Sequence, residues 1–480
     1  MTGYSPICKQ KKTTQHMDRR DFLKRLSAAT ATMGLAACTS DEKTKEIIGT
    51  ESKKPNGEMT YRTVPTSGDK VSLLGYGCMR LPTVQHGSAR EQKDIEIDQE
   101  ELNAHVDYAI AHGINYFDTS PVYCQGRSEH HMGIALKRIP RDKYFIATKL
   151  SNFAQEFWSR EASIKMYHNS FKELQVDTID YMLLHSIGGT NGEYNSTQTF
   201  EKRYIENGIL DFLLEERAKG KIRHLGFSYH GDIAIFDRAL AMHDKCKWDF
   251  VQIQMNYVDW LHAKEVNPAN TNAEYLYAEL EKRNIPAIIM EPLLGGRLAS
   301  TLSFIAAKLK ARRPEDSIAK WALRYLGSFP NVLTVLSGMT YMENVKENID
   351  TYSPVEPCTE DELALLEEVA QAMLRYPSVP CTGCQYCMPC PYGINIPGIF
   401  QHYNKCINEG NVSISSQDEN YAEARRAFLM GYDRAVPKLR QADHCIGCGM
   451  CKSHCPQNID IPKEMQKIDK YVESLKQSMD

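Results

Sequence analysis

Between Val71 and about Ile349 the chain repeats one alternation: a short run of apolar or β-branched residues, then a longer stretch with apolar positions at helical spacing. Eight of the short runs read as strands, at residues 73–77, 115–118, 144–148, 181–184, 224–227, 250–253, 287–290 and 332–336. Eight βα repeats over about 280 residues predict an α/β fold, a (β/α)8 TIM barrel spanning 61–350. The competing topology is a doubly wound open sheet. That fold wants a glycine-rich phosphate turn after its first strand, and Gly75-Tyr76-Gly77 lacks the third glycine at the required spacing.

Beyond the barrel the pattern changes. Residues 351–376 read as a linker and helix, the first part polar and proline-containing, and 377–480 as a second, smaller unit with a helical stretch near 421–430. A chain of 480 residues is too long for one ordinary core, so a large and a small domain are expected. Lys plus Arg number 57 against 61 Asp plus Glu, a formal charge of -4. That balance lacks the basic excess needed to bind a phosphate backbone, so nucleic acid is not an expected partner. No run of about 20 apolar residues marks a transmembrane helix.

The N-terminus reads as an address. Asp18-Arg19-Arg20-Asp21-Phe22-Leu23-Lys24 precedes a weakly apolar run ending in Leu35-Ala36-Ala37-Cys38. The segment 1–38 resembles a twin-arginine export signal closed by a lipobox. The resemblance implies removal of 1–37, acylation of Cys38 and an exported protein held at a membrane surface, with 39–60 as a flexible tether. An amphipathic helix that happens to contain Arg-Arg is the alternative, and it would leave the protein cytoplasmic.

In a TIM barrel, chemistry collects where strands end. The second strand runs into Asp118-Thr119-Ser120-Pro121-Val122-Tyr123, the third ends in Thr148-Lys149 and the fourth in His185. A carboxylate, a phenol, an ammonium and an imidazole are thereby expected on one rim. Reducing a carbonyl needs a proton donor at oxygen while hydride reaches carbon, and a free phenol with a pKa of about 10 is a weak acid. Lys149 within hydrogen-bonding reach of Tyr123 would favour the phenolate. Asp118 would keep Lys149 charged, and His185 would orient the carbonyl.

These segments, Asp-Thr-x-x-x-Tyr, Thr-Lys and Leu-Leu-His, resemble the catalytic tetrad of the aldo/keto reductase family. By that resemblance Asp118, Tyr123, Lys149 and His185 take the tetrad roles, and NADP or NAD is the expected cofactor. Ser228 and Gln252 match positions that hold the nicotinamide carboxamide, and Asn348 one that contacts adenine. Leu293 and Gly338, in the similar segments Glu291-Pro292-Leu293 and Ser337-Gly338-Met339, complete the expected cofactor-binding set. There are departures. Tyr229 stands where the family commonly has Asn, Met290 where a Tyr stacks on nicotinamide, and no basic residue falls at Gly338 or Asn344 to grip a 2'-phosphate, so NADH and NADPH stay open.

Eight of the fifteen cysteines fall in two clusters, which points to metal rather than to a disulfide framework. Cys445, Cys448, Cys451 and Cys455-Pro456 have the C-x2-C-x2-C-x3-C-P spacing of bacterial ferredoxins; Cys381, Cys384, Cys387 and Cys390-Pro391 are one residue short of it. Three close thiolates hold one corner of a cubane while the fourth reaches the other cluster. The expected ligand sets for two 4Fe-4S clusters are therefore Cys381, Cys384, Cys387 with Cys455, and Cys445, Cys448, Cys451 with Cys390. A pair of four-cysteine zinc sites is the alternative. The separation of about 54 residues resembles an α-helical ferredoxin-like domain. Barrel and module together resemble the iron-sulfur branch of the aldo/keto reductases. That resemblance implies hydride transfer to a small carbonyl or alcohol substrate and a redox protein or quinone as partner. The alternative is an electron-transfer or binding subunit whose barrel no longer uses nicotinamide.

Overall fold

The fourth apolar run leaves no polar face. Every residue of Ile179–Ile187 except Ser186 is buried, as strands covered on both sides require. In the computed structural model, which describes residues 57–84, 96–376, 378–413 and 415–477, the eight expected strands close into a parallel barrel. They are β1 (Leu74–Gly77), β2 (Tyr116–Asp118), β3 (Phe145–Leu150), β4 (Ile179–Ile187), β5 (Ile222–Tyr229), β6 (Phe250–Gln254), β7 (Ala287–Met290) and β8 (Val332–Gly338), each beside its neighbour in sequence. Closure comes from β8 pairing with β1, Leu336 opposite Gly75 and Gly338 opposite Gly77, which rules out the open sheet.

A hairpin not among the expected elements, Tyr61–Thr63 against Lys70–Ser72, covers the N-terminal end of the barrel. Its Val64 and Val71 pack on Tyr116, Tyr181, Phe250 and Leu333 from the barrel interior. Three-residue strands are too short to show a period-two signal. With that end plugged, only the C-terminal face is free for chemistry.

The polar linker is fastened rather than free. Val355 N–H donates to Thr60 Oγ1 at 2.9 Å, and Tyr352 Oη to Leu323 O at 2.7 Å. The helix that follows, Glu360–Leu374, opens with a capping box between Thr359 and Glu362. Buried Glu362 also receives Arg324 at 2.9 Å and Arg313 at 2.5 Å, binding this helix to the barrel.

Helices Ile396–Asn408, Tyr421–Ala435 and Ile461–Gln477 surround the module's own core, which includes Ile399, Phe400, Phe428, Tyr432, Met465 and Ile468. Barrel and module form one compact unit. The module sits on the C-terminal face: Gln457 Nε2 donates to Gln254 Oε1 at 3.1 Å, Asn408 Nδ2 to Ser300 O at 2.8 Å, and Arg80 to Thr382 O. No helix among the described residues is long and apolar enough to cross a membrane. The export signal at 1–38, with Cys38, lies outside the described residues. Of the 39–60 segment, only 57–60 are described; there Met59 is buried and Thr60 N–H donates to Tyr352 O at 2.8 Å.

Candidate active site and cluster module

Parallel pairing sets the polar ends of β2, β3 and β4 side by side, with Asp118 opposite Ala147 and Lys149 opposite Leu183. Lys149 Nζ lies 2.5 Å from Asp118 Oδ1 and donates to Thr119 O at 2.9 Å. The two side chains are 1% and 3% exposed. Burial pushes the Asp118 carboxyl above the usual range, and Lys149 pulls it back by charge and hydrogen bond.

His185 is held by a chain of hydroxyls. Val122 N–H donates to Ser120 Oγ at 3.3 Å, Ser120 Oγ lies 2.8 Å from Ser151 Oγ, and Ser151 Oγ lies 2.5 Å from His185 Nδ1. Ser151 Oγ also donates to Lys149 O at 3.3 Å, so this network holds His185 through Nδ1. Burial, followed by Lys149, Arg203 and His230, holds the imidazole well below its ordinary pKa, so it is neutral. Arg203 and Tyr204 fix the strand beneath by donating to His185 O.

Tyr123 is half-buried on a tight turn in which Cys124 and Gln125 take left-handed φ angles of 50° and 58°. Its ring is edge-on to His185 at 5.9 Å, and Lys149 Nζ stands 5.0 Å from its centroid. Here one expectation is corrected. Lys149 Nζ lies over the ring of Tyr123 and gives two of its three protons to Asp118 and Thr119. The phenol is therefore not made more acidic: burial, then Tyr386 and Asp118, raise it well above its ordinary value. The buried carboxylate offsets the lysine charge that was expected to act on Tyr123.

The cofactor-binding candidates divide into two groups. Ser228 and Gln252 are register partners on β5 and β6, both buried. Ser228 Oγ accepts the Ser186 N–H at 2.7 Å, while Gln252 Oε1 is buried without a partner. The Gln252 side chain also meets the Asp118 carboxyl, and its bare acceptor suits the amino group of a carboxamide, so the nicotinamide end of the expected cofactor fits. Leu293 is half-buried after β7. Asn348 is buried and donates to Ser337 Oγ at 3.0 Å. Gly338 lies against Arg80, whose Cδ is 3.4 Å from where a Cβ would stand. Of the departures, Tyr229 donates to Gly231 O at 2.5 Å and meets Thr271 Oγ1 at 3.1 Å, and Met290 is half-buried at the end of β7.

The cysteines gather in the two expected sets. Cys381, Cys384, Cys387 and Cys455 line one cavity together with Phe400 and Ile459. Cys451 is pushed up to about 11 by burial and by its neighbours Cys445, Cys390 and Cys448. Thiols around a cavity differ from thiols around one ion. Four thiols at ferredoxin spacing around a void suit iron and sulfide. Bound iron would reverse the elevation of these thiols, since a coordinated thiol is deprotonated.

Several site residues carried no legible role in the sequence. Ser120 and Ser151 sit beside the tetrad positions and could have been flagged by that adjacency. Arg80, Phe153 and Tyr386 could not, because only folding brings the loop at Tyr386 to the barrel.

The comparisons agree with this geometry. The profile of the Aldo/keto reductase family matches residues 73–371, and that of a 4Fe-4S dicluster domain matches 380–460. L-galactose dehydrogenase of Arabidopsis thaliana is 27% identical over 330 residues, covering 65% of this chain and 93% of that protein. The protein tas of Escherichia coli is 28% identical over 364 residues, covering 67% of this chain and all of that protein. An aldo-keto reductase structure from Bacillus halodurans, AKR11C1 in its holo form, has a TM-score of 0.49 at 24% identity and covers 66% of this chain and 97% of its own. With a closed parallel barrel, a tetrad at its strand ends and a family match over most of its length, the chain belongs to the aldo/keto reductase family and is an NAD(P)-linked oxidoreductase with a C-terminal 4Fe-4S dicluster domain.

Proposed function

We propose that the protein moves a hydride between NAD(P)H and a small carbonyl or alcohol substrate at the barrel mouth, and that its module holds two 4Fe-4S clusters for electron transfer. The buried Asp118–Lys149 pair beside Tyr123 and His185 carries this reading. The nicotinamide, when bound, supplies or accepts the hydride at the substrate carbon. Gln252 Oε1 and Ser228 orient its carboxamide. His185 Nε2–H donates to the carbonyl oxygen, and the Tyr123 hydroxyl, protonated across the physiological range, delivers the proton. Lys149, held by Asp118, lies over the Tyr123 ring and positions it for that transfer.

The test is direct: fluorescence titration with NADH and with NADPH, then turnover of a panel of small aldehydes. Binding of one nucleotide with turnover is the expected result, and binding of neither overturns the reading. Anaerobic iron and labile-sulfide analysis is expected to give about eight of each per chain for two clusters, and about four would leave one. Exposed Ile446 and Met450, two residues either side of exposed Cys448, offer apolar surface where a redox protein or quinone can approach the second cluster.

Export and lipid anchoring belong to the same proposal. Mass spectrometry of membrane fractions should find an acylated N-terminal Cys38; an unprocessed chain in the soluble fraction would remove this part and place the protein in the cytoplasm.

A second reading, an electron-transfer or binding subunit whose barrel no longer uses nicotinamide, is favoured by one observation. The module's Thr382 lies against Gly295 after β7 and Arg80 after β1, close to Gly338. The nucleotide titration separates the two.

A further inference from the structure

The loop that carries three thiols of the first set also reaches the tetrad. Tyr386 stands between Cys384 and Cys387, and its ring lies 6.2 Å from that of Phe153. Phe153, which follows β3, is 4.8 Å from the His185 ring and is backed by the Arg203 guanidinium at 4.9 Å. His185 in turn meets Tyr123 at 5.9 Å. One line of rings thus runs from the metal-binding loop to the proton donor.

Barrel loops hold that line in place. Arg80, after β1, donates to Thr382 O. Gly295, after β7, has φ +67° and comes so near that a Cβ there would stand 2.5 Å from Thr382 Cα. Gln457, two residues beyond the ligand Cys455, bonds Gln254 at the end of β6 and accepts from Asn267. These contacts anchor both chain segments that supply the first thiol set, so Tyr386 is positioned from the barrel side and from the metal side at once.

We propose that Tyr386 is a wall of the substrate site, a specificity-determining residue that the module lends to the barrel. The inference rests on the carbonyl reading of the barrel mouth. A phenol one ring away from His185 offers a flat apolar face and a hydroxyl to whatever carbonyl His185 holds. That surface favours a small carbonyl compound with a hydroxyl near the carbonyl, and it stands in the way of a bulky aromatic aldehyde. The thiolates on either side of Tyr386 tie its backbone to the first cluster, so the pocket is complete only when that cluster is assembled.

The test uses full-length protein reconstituted anaerobically, with iron content checked for each variant. Tyr386→Ala at full iron is expected to raise KM for glycolaldehyde about tenfold with little change in kcat, and to improve kcat/KM for 4-nitrobenzaldehyde. Electron paramagnetic resonance supplies a readout independent of turnover. Saturating glycolaldehyde should shift the signal of the reduced first cluster in the unaltered protein and not in Tyr386→Ala. If the alanine variant fails to hold iron, Tyr386→Phe, which keeps the ring and removes only the hydroxyl, is expected to raise KM for glycolaldehyde and to leave kcat/KM for 4-nitrobenzaldehyde unchanged. Unchanged KM values and an unchanged preference between the two aldehydes in an iron-replete variant overturn this inference alone. An unaltered protein that turns over neither aldehyde overturns the carbonyl reading and this inference with it.

Discussion

Lys149 and Asp118 face each other at 2.5 Å on neighbouring strands, almost fully withdrawn from water. Such a pair contributes little net stability while intact, yet removing one partner strands the other's charge in a medium that solvates it poorly. Asp118→Asn and Lys149→Met should each cost about 3–5 kcal/mol and lower kcat/KM by about 10²-fold or more. The double variant should regain much of the stability and none of the activity. Urea unfolding and steady-state kinetics read both, and a double variant as unstable as the sum of the singles would contradict the account.

A second buried acid lies behind the same strand. Glu129 accepts the Thr148 hydroxyl at 2.5 Å, and burial raises its carboxyl to about 7. Between the ordinary carboxyl value of about 4.5 and this value, the folded chain binds more protons than the unfolded one. Stability is therefore fully present below the lower value and is lost as pH rises through about 7. Glu129→Gln should be more stable than the parent by up to about 3 kcal/mol at pH 8, with the gain shrinking towards pH 5. A difference that does not vary with pH in chemical unfolding would contradict this.

The crossed cysteine sets predict which signal each ligand change affects. Cys455→Ser should damage the cluster of Cys381, Cys384 and Cys387, although it lies in the other motif, and Cys390→Ser the cluster of Cys445, Cys448 and Cys451. Iron should fall from about eight toward about four per chain in each case. Electron paramagnetic resonance of the remaining cluster tells the two variants apart; identical residual spectra would argue against crossing.

Gly295 combines a left-handed φ with a contact that leaves no room for a side chain. Gly295→Ala should push the β7 loop away from Thr382, cost about 1–3 kcal/mol and expose the 378–395 segment to protease. Limited proteolysis at matched iron content checks this, with an unchanged cleavage rate as the contrary result.

The barrel was legible because its signals are local. Each strand is a short apolar run closed by a polar residue, and the tetrad sits at those run ends, so Asp118, Tyr123, Lys149 and His185 could be named without coordinates. The thiol sets were legible for the same reason, since ferredoxin spacing is a property of a dozen consecutive residues. The terminal hairpin escaped because its strands are three residues long.

What the sequence by itself determined was thus the list of parts: eight strand ends, four candidate site residues and two cysteine motifs, each encoded within one stretch of chain. Tertiary structure decided how they act on one another. It turned Lys149 toward the ring of Tyr123 and toward Asp118, left Gln252 Oε1 without a partner, and brought Tyr386 beside Phe153, more than two hundred residues away along the chain. Burial and charge neighbourhood depend on what packs against a residue from distant segments, and no spacing rule along the chain carries that information.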